Sequence, residues 1–352
     1  MGIPLFTRLM NGRAGWLGAC AVLLAWGSNG AASAQDLYFA QPYASRLQVN
    51  PAFTGLVDDY SVTLNYRNQF PTLAGTFQTS QLGADYRFQD QKGAVGLLLN
   101  VDRTGGLGLT RFQVGGLYAY HTRLTEQLSL SAGAEASYGR QTVSYGNLLL
   151  GDQLTDDGVT GNVSADPLLL QYNPVNYFSL GTGVLLYTEN LWVGAATHHL
   201  NQPDLGFVEQ STLPIRLNIN AGYKYFFVRS VVKGETREMS LTPTVNYTRQ
   251  GGLQRAEAGL YFTATPITVG AVYRGMPLPG STHPQQILTA VAGVSFGAFR
   301  LGYSYDASLS QLSADLGGAH ELSLTIRKFD ALEAAWRRLK RRNSPAVPWP
   351  AF

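Results

Sequence analysis

Apolar and polar residues alternate along most of the chain. In "IRLNINAGYKYFF" (215–227), aliphatic and aromatic residues share one face, while the other face carries polar residues such as Arg216 and Lys224. Successive side chains of a β-strand point to opposite faces, so a period of two predicts strands. An apolar face this rich in aromatic residues is typical of strands that meet lipid. The same alternation recurs in the stretches 62–68, 128–139, 299–306 and 321–327.

The alternation predicts fourteen strands, most of them about ten residues long or longer. Strands of that length cross a bilayer when they are tilted, and an even number is typical of bacterial barrels. No apolar run after residue 34 is long enough for a transmembrane helix. We therefore predict an all-β fold, a transmembrane antiparallel β-barrel over residues 59–329. The predicted strands are 60–68, 76–88, 93–103, 107–121, 127–145, 175–188, 190–198, 213–227, 238–249, 252–264, 266–275, 285–297, 299–308 and 319–329.

The lengths of the links between these strands predict the topology. If the amino-terminus is periplasmic, links from even to odd strands are periplasmic turns and the others are outer loops. The even-to-odd links are short, and 228–237 is the longest of them. The two longest links of the barrel, 146–174 and 199–212, both join odd to even strands. A soluble two-sheet sandwich has no reason to sort its links in this way.

The composition agrees with a membrane barrel. Charged residues make up 14% of the 352 residues, below the roughly 25% usual in soluble domains. The chain also holds 19 Tyr, 16 Phe and 39 Gly. Removal of a leader with Arg8 and Arg13 leaves 24 basic residues against 23 acidic ones. This balance does not favour nucleic-acid binding.

Residues 1–34 have the features of a signal peptide. A basic start precedes the apolar run 14–26, and Ala-Ser-Ala at 32–34 provides a cleavage site. The alternative is a lipoprotein signal with Cys20 as the lipidated residue. We favour the signal peptide because the apolar run continues past Cys20. Cleavage after Ala34 removes the only Cys, so the mature chain has neither a disulfide nor a zinc–thiolate site.

Charged residues occupy the predicted inner face at strand centres. Their mixed signs are compatible with interior ion pairs in a filled lumen, and equally with scattered charges around water. The sequence leaves both arrangements open. These inner charges are Arg67, Glu135, Arg216, Lys224, Glu257, Arg274, Arg300, Asp306 and Glu321.

The segment "THHLNQPD" (197–204) has the residue types of a metal or catalytic cluster. His198 and His199 end a predicted strand, where neighbouring side chains face opposite ways, so one metal cannot bind both unless the strand breaks between them. A barrel hydrolase needs Ser, His and a polar orienting residue on one wall, and no stretch provides them. We predict no enzyme, no metal site and no cofactor. The segment is interpreted as a strand end held by hydrogen bonds, with Pro203 starting the outer loop.

A series of motifs follows in a fixed order: "NPAFTG" (50–55), "LNYRNQFP" (64–71), "LWVGAATHHLNQPD" (191–204), "YSYDASLS" (303–310) and "GAHELSL" (318–324). Together they resemble the PorP/SprF family, outer-membrane proteins of the type IX secretion system of Bacteroidota-type bacteria. The resemblance covers nearly the whole mature chain. The motif residues expected to have structural roles are Asn50, Pro51, Tyr66, Arg67, Asn68, His198, His199, Asn201, Pro203, His320 and Glu321.

The resemblance implies a barrel of fourteen strands in the cell outer membrane, surrounded by lipid. It implies a role in export or surface display of large substrates, including gliding adhesins. The implied partners are the C-terminal domain of a large secreted cargo and periplasmic ring or motor components. No cofactor or catalytic residue comes with the family. The alternative is an outer-membrane channel for small solutes, in which the lumen itself is the functional part.

Two regions outside the strands are further candidates for contacts. Residues 35–58 are rich in apolar side chains, and we expect them to enter the lower mouth of the barrel as a partial plug rather than contact a partner. The outer loop 146–174 is acidic, and its carboxylates have the chemistry of a Ca²⁺ site. Their spacing matches no EF-hand, so we favour a solvated acidic loop. These carboxylates are Asp152, Asp156, Asp157 and Asp166.

The tail 330–352 is basic, and the strand count places it in the periplasm. It is either an amphipathic helix that binds the inner leaflet, peptidoglycan or an acidic ring component, or an unstructured basic segment. Its ending, "VPWPAF" (347–352), is similar to the family's tails but lacks the Cys that they often carry. If the family's tails are covalently anchored through that Cys, this chain cannot be anchored in the same way. The candidate partner-binding residues are Trp336, Arg337, Arg338, Lys340, Arg341 and Arg342.

Overall fold

The computed structural model describes most of the chain from Asp36 to Arg327. The predicted signal peptide and the tail 330–352 lie outside the described residues, as do Asp156, Asp157 and Asp166. In the described part, no helix has the length and apolar character needed to cross a membrane. The described ranges are 36–57, 60–72, 75–88, 92–105, 108–144, 151–155, 158–160, 164, 173–207, 209–232, 235–276, 286–309 and 317–327.

The described residues form an antiparallel barrel of fourteen strands, which confirms the predicted fold class. The strands are β1 Tyr60–Gln69, β2 Phe77–Arg87, β3 Gly93–Thr104, β4 Leu109–Arg123, β5 Ser129–Val143, β6 Val175–Tyr187, β7 Leu191–His198, β8 in two segments (Arg216–Tyr223 and Tyr225–Val232), β9 Glu235–Gln250, β10 Leu253–Ala264, β11 Ile267–Arg274, β12 Ile287–Phe296, β13 Phe299–Ser308 and β14 Ala319–Arg327. Each strand pairs with the next along the chain. Pairing of β1 with β14, from Ser61 opposite Arg327 to Gln69 opposite Ala319, closes the barrel.

Side chains alternate between the lumen and the outer surface along the strands. In β5, Ser131, Glu135 and Ser137 are buried in the lumen, whereas Tyr138 is exposed on the outside. Across the barrel, most of the exposed large side chains of the strands are apolar, and most of the buried side chains are polar. This distribution is the reverse of that in a soluble protein and is typical of a barrel surrounded by lipid.

Aromatic side chains form two bands on the outer surface. We call the end with short links, such as 188–190, the turn end, and the opposite end the loop end. Two aromatic bands are expected where a membrane barrel meets the two lipid–water interfaces. Near the turn end lie Tyr86, Tyr118, Tyr120, Tyr223, Tyr225, Phe296 and Phe299, and near the loop end lie Tyr66, Phe77, Phe112, Tyr138 and Phe178.

Strand β8 is longer than the alternation predicts. The sequence pattern ends this strand at residue 227 and predicts a link at 228–237, but β8 continues to Val232 and β9 begins at Glu235. That prediction is wrong because the strand changes register. Between its two segments Lys224 pairs with Asn190, and the register with β9 then shifts between Phe226 and Val228. An irregularity of this kind interrupts a strict period of two.

Residues 36–57, which we call the inner segment, lie inside the barrel. They contain one short helix, α1 (Arg46–Val49), and a 3₁₀ turn, Pro51–Phe53. The apolar side chains of the inner segment pack against inward-facing apolar residues of the wall. The resulting cluster includes Tyr43, Ala44, Ala52, Phe53 and Leu56 of the inner segment with Leu185, Tyr187, Trp192, Tyr261, Val272 and Val291 of the strands.

Candidate functional site

The inner segment runs through the lumen from the loop end towards the turn end. At the loop end, Asp36 Oδ2 lies 2.8 Å from His199 Nε2 and also accepts a hydrogen bond from Arg216. Near the turn end, the backbone N–H of Gly55 donates to Asp85 Oδ2 at 2.7 Å. The inner segment is therefore attached to the barrel wall at both of its ends.

A buried carboxylate on β14 holds the start of the inner segment. Glu321 accepts hydrogen bonds from the backbone nitrogens of Ala40 at 2.6 Å and Gln41 at 3.0 Å. Arg67 lies between Glu321 (3.2 Å) and Asp306 (2.7 Å) and forms an ion pair with each. Interior ion pairs, one of the two arrangements left open by the sequence, are thus what the described residues show.

Tyr38 occupies the middle of this charged region. Its ring centroid lies 4.1 Å from the guanidinium carbon of Arg255 and 4.1 Å from that of Arg274. Arg274 also donates hydrogen bonds to the Tyr38 hydroxyl and, at 2.9 Å, to Glu257. Contacts between cations and the ring face favour this arrangement.

Asn50 joins the inner segment to the backbone of the wall. Its Oδ1 accepts a hydrogen bond from Ala52 N at 2.8 Å and caps the turn that begins at Pro51. Its Nδ2 donates to the carbonyl oxygens of Val184 (3.1 Å) and Ala195 (3.3 Å). Such a close approach of a side chain to two strands requires small residues in the wall. Glycines supply them at positions 133, 183 and 194, where an added Cβ would meet Pro51 or Asn50.

Both histidines of the "THHLNQPD" segment point into the lumen. The expectation that they face opposite sides is wrong, because β7 ends at His198 and the chain turns at His199, whose φ is +58°. His198 Nδ1 lies 3.1 Å from Glu135 Oε2. His199 binds Asp36 through one ring nitrogen and Ser179 Oγ, at 2.8 Å, through the other. The described residues contain no group of three potential metal ligands.

The remaining motif residues divide between the loop end and the outer surface. Asn201 binds the backbone of β6 through Phe178 O (2.7 Å) and Leu180 N (3.1 Å). Pro203 O accepts a hydrogen bond from Leu213 N at 2.8 Å, which closes the loop after β7. The motif residues on the outer face of the strands are Tyr66, Asn68 and His320, with His320 Nδ1 2.8 Å from Tyr303 Oη.

Two candidate contact regions are described in part or not at all. The predicted partner-binding residues Trp336 to Arg342 lie outside the described residues. Of the acidic residues in the outer loop, the structure describes Asp152, which accepts hydrogen bonds from Ser164 Oγ at 2.8 and 2.9 Å. In the same region of the barrel, the backbone N–H groups of Gly206 and Ser211 lower the pKa of the exposed Asp204.

Sequence reasoning missed the side chains by which the inner segment is held. Asp36, Tyr38 and Gln41 contact the wall at the loop end, and Arg46 pairs with Asp85 at 2.6 Å near the turn end. A usable signal was present. Charged residues within the otherwise apolar inner segment need partners of opposite charge, and the charged inner face of the predicted strands offers them.

The comparisons with known proteins agree with this geometry. The sequence model described as "Type IX secretion system membrane protein PorP/SprF" matches residues 31–326. The chain belongs to the PorP/SprF family. It is thus a type IX secretion system membrane protein with an outer-membrane barrel fold. No curated protein matches the chain.

Solved structures are similar in fold at low sequence identity. The toluene transporter TbuX of Ralstonia pickettii is 14% identical with a TM-score of 0.47, over 86% of this chain and 97% of that one. Omp33, an outer membrane protein of Acinetobacter baumannii, is 12% identical with a TM-score of 0.41, over 78% of this chain and 100% of that one.

Proposed function

We propose that the protein binds or anchors exported cargo of the type IX secretion system and links it to periplasmic machinery. The observation that carries this proposal is the inner segment, which passes through the lumen and is held there by buried polar contacts. A barrel filled in this way offers partners its two ends rather than an open pore. The cargo we propose is the C-terminal domain of a large secreted protein, such as a gliding adhesin.

The contents of the lumen argue against a permanently open channel for small solutes. One cavity between the inner segment and strands β8 to β10 has a volume of about 70 Å³. That volume holds only a few water molecules. To leave the lumen, the inner segment would have to give up its hydrogen bonds to Glu321 and Asp85. It would also have to break the contacts of its Asp36 with His199 and Arg216. The binding function is therefore preferred to the channel.

We assign the link to periplasmic machinery to the basic tail. The segment 330–342 has five basic residues against Asp330 and Glu333, a net charge of +3. The proposed topology places the turn end and this tail in the periplasm. The contact residues would be Trp336, Arg337, Arg338, Lys340, Arg341 and Arg342, which fit an acidic surface of a ring component.

The experiment compares two truncations of the full chain in cells that export the cargo. One variant lacks 330–352, and the matched control lacks only 343–352, which keeps the basic residues. After crosslinking in membranes, the barrel protein is purified by affinity, and the proteins bound to it are identified by mass spectrometry. Surface display of the cargo is measured in the same cells. The longer truncation should lose the periplasmic subunits and reduce display, while the control keeps both.

Undiminished capture and display by the longer truncation would contradict the role of the tail. Absence of any secretion component from wild-type samples would contradict the function itself.

A further inference from the structure

The hairpin of β8 and β9 extends beyond the neighbouring strands at the turn end. The last pair of β8 with β7 joins Tyr223 to Leu191. The last pair of β9 with β10 joins Met239 to Ala264. Beyond these positions Lys224 still bonds to Asn190 and Glu238 to Thr265 in the neighbouring turns. The other described residues of the two strands pair only with each other. We call the described residues 228–232 and 235–237 the projecting hairpin.

The second segment of β8 has one unpaired edge. From Tyr225 to Val232 it pairs with β9, and no described strand lies on its other side. The backbone of the neighbouring turn reaches only the start of this edge, where Lys224 N donates to Asn190 O at 2.7 Å. The side chain of Glu189 in that turn lies 3.9 Å from Arg229. In an antiparallel pair, alternate residues direct their backbone N–H and C=O groups away from the partner strand. These groups form a row that a further strand can pair with.

The side chains along this edge favour pairing with another strand. Its sequence, "YFFVRSVV", is rich in aromatic and β-branched residues and contains a single charge, Arg229. Phe227 and Val228 are each 53% exposed. Proteins usually protect such an edge with charges, prolines or a covering element, because an apolar edge of this length attracts other chains. Here one charge, Arg229, and the irregularity at Phe227 interrupt the edge, while no proline and no described covering element protects the rest of it.

We infer that the free edge of β8 is a docking site for an extended acidic segment of a partner protein, which adds to the projecting hairpin as another strand. Strand addition satisfies the backbone groups, and alternate side chains provide specificity. The exposed Arg229 and Arg237 supply positive charge, while Glu238 is already paired with the buried Lys224 at 2.7 Å. The inference rests on the proposed function, since there the turn end faces the periplasmic machinery.

A second copy of this chain fits the edge less well. Two projecting hairpins placed edge to edge would bring Arg229 of each copy close to that of the other. Like charges on neighbouring strands are destabilising. The ion pair of Arg229 with Glu189 does not remove this charge, because it is 3.9 Å long and more than half exposed. The edge is therefore suited to an acidic strand rather than to itself.

The test uses the purified full chain in detergent and a fluorescent peptide probe. The probe has ten residues of alternating Val and Thr with Glu at each end, and its control has every backbone nitrogen methylated. In one variant, residues 230–237 are replaced by Asn-Gly, which shortens the hairpin but keeps Glu238 beside Lys224. A second variant combines Arg229→Glu with Arg237→Glu, and Arg140→Glu at the loop end is its matched control.

We expect the wild type and the Arg140 variant to bind the probe equally. The double charge reversal should weaken binding on the order of tenfold, equivalent to about 1.4 kcal/mol, and the shortened hairpin should not bind. Failure of the wild type to bind, or equal binding of the methylated peptide or by the shortened variant, would overturn the inference. Self-association of the wild type that disappears on shortening would identify a second copy as the occupant and overturn the choice of partner.

Failure of this inference is distinguishable from failure of the proposed function. The shortened variant is also tested for cargo display and for capture of periplasmic subunits, beside the truncation of 330–352. If only the truncation has an effect, the projecting hairpin is not a docking site and the proposed function stands.

Discussion

Asn50 and Gly183 are in direct contact across the lumen, although they are far apart in sequence. Asn50 is fully buried, and a Cβ added at Gly183 would overlap its Oδ1 atom. The same oxygen accepts a hydrogen bond from Ala52 N at 2.8 Å, and Asn50 Nδ2 donates to Val184 O. The glycine is therefore required because the side chain beside it has no freedom to move. This contact fixes the depth of the inner segment in the barrel.

Replacement of this glycine should destabilise the fold. In Gly183→Ala, either Asn50 gives up its hydrogen bonds or β6 shifts, and we expect a loss of about 1–3 kcal/mol in the free energy of unfolding. Urea unfolding of the barrel in lipid vesicles, followed by tryptophan fluorescence, measures this change. Gly116→Ala is the control, because no heavy atom of the described residues lies within 4 Å of its added Cβ. Equal stability of the two variants would show that Asn50 does not occupy this site.

The outer surface gives a second prediction, which tests whether lipid covers it. Leu64, in the middle of β1, is 48% exposed, and Leu200, in the loop after β7, is 43% exposed. If both positions faced water, their similar exposure would predict the same small effect of an Arg substitution on the free energy of unfolding. In a membrane, Leu64→Arg should lower the free energy of unfolding by about 2–4 kcal/mol, and Leu200→Arg at the rim by about 0–1 kcal/mol. Equal effects in lipid vesicles would contradict the transmembrane position of β1.

The strands were predictable from the sequence, whereas the depth of the inner segment was not. Alternation of apolar and polar residues, as in β5 or β13, is a local signal. The first and last residues of such a strand can therefore be predicted to within a few positions. Contacts such as Gln41 with Glu321 join residues 280 positions apart, and no local pattern encodes them. His199 shows a second limit. The backbone leaves the strand there with φ of +58°, so the rule that adjacent side chains face opposite sides no longer applies.

A third prediction concerns pH and the attachment of Asp36. Burial alone would raise the pKa of this carboxyl, but the positive charges of Arg216 and His199 hold it well below its usual value. With a folded pKa below the unfolded value of about 3.9, the carboxylate stabilises the fold at any pH above that value. This contribution is lost as the pH falls through the folded pKa.

Asp36→Asn should therefore lower the free energy of unfolding by about 1.5–3 kcal/mol near neutral pH. The difference from the wild type should stay constant down to about pH 4 and then close as the wild-type carboxyl is protonated. Urea titrations between pH 3 and pH 7 measure both curves. Glu209→Gln, at an exposed position of the loop after β7, is the control and should leave stability unchanged. A difference that grows as the pH falls below 4 would contradict the depressed pKa.

The last prediction concerns conduction through the lumen. If the inner segment closes the barrel, the wild-type protein should show no steady conductance in planar bilayers. Deletion of residues 36–45 removes the contacts of Asp36, Tyr38 and Gln41 with the wall. It keeps Asn50 and the ion pair of Arg46 with Asp85, so we expect the wall to stay folded. Water would then hydrate the exposed charges of Arg67 and Glu321, and discrete conductance steps should appear. Retention of heat-modifiable mobility on gels shows that the barrel is intact. A large steady conductance in the wild type would instead support a channel, because ions would then pass beside a segment that the structure holds in their path.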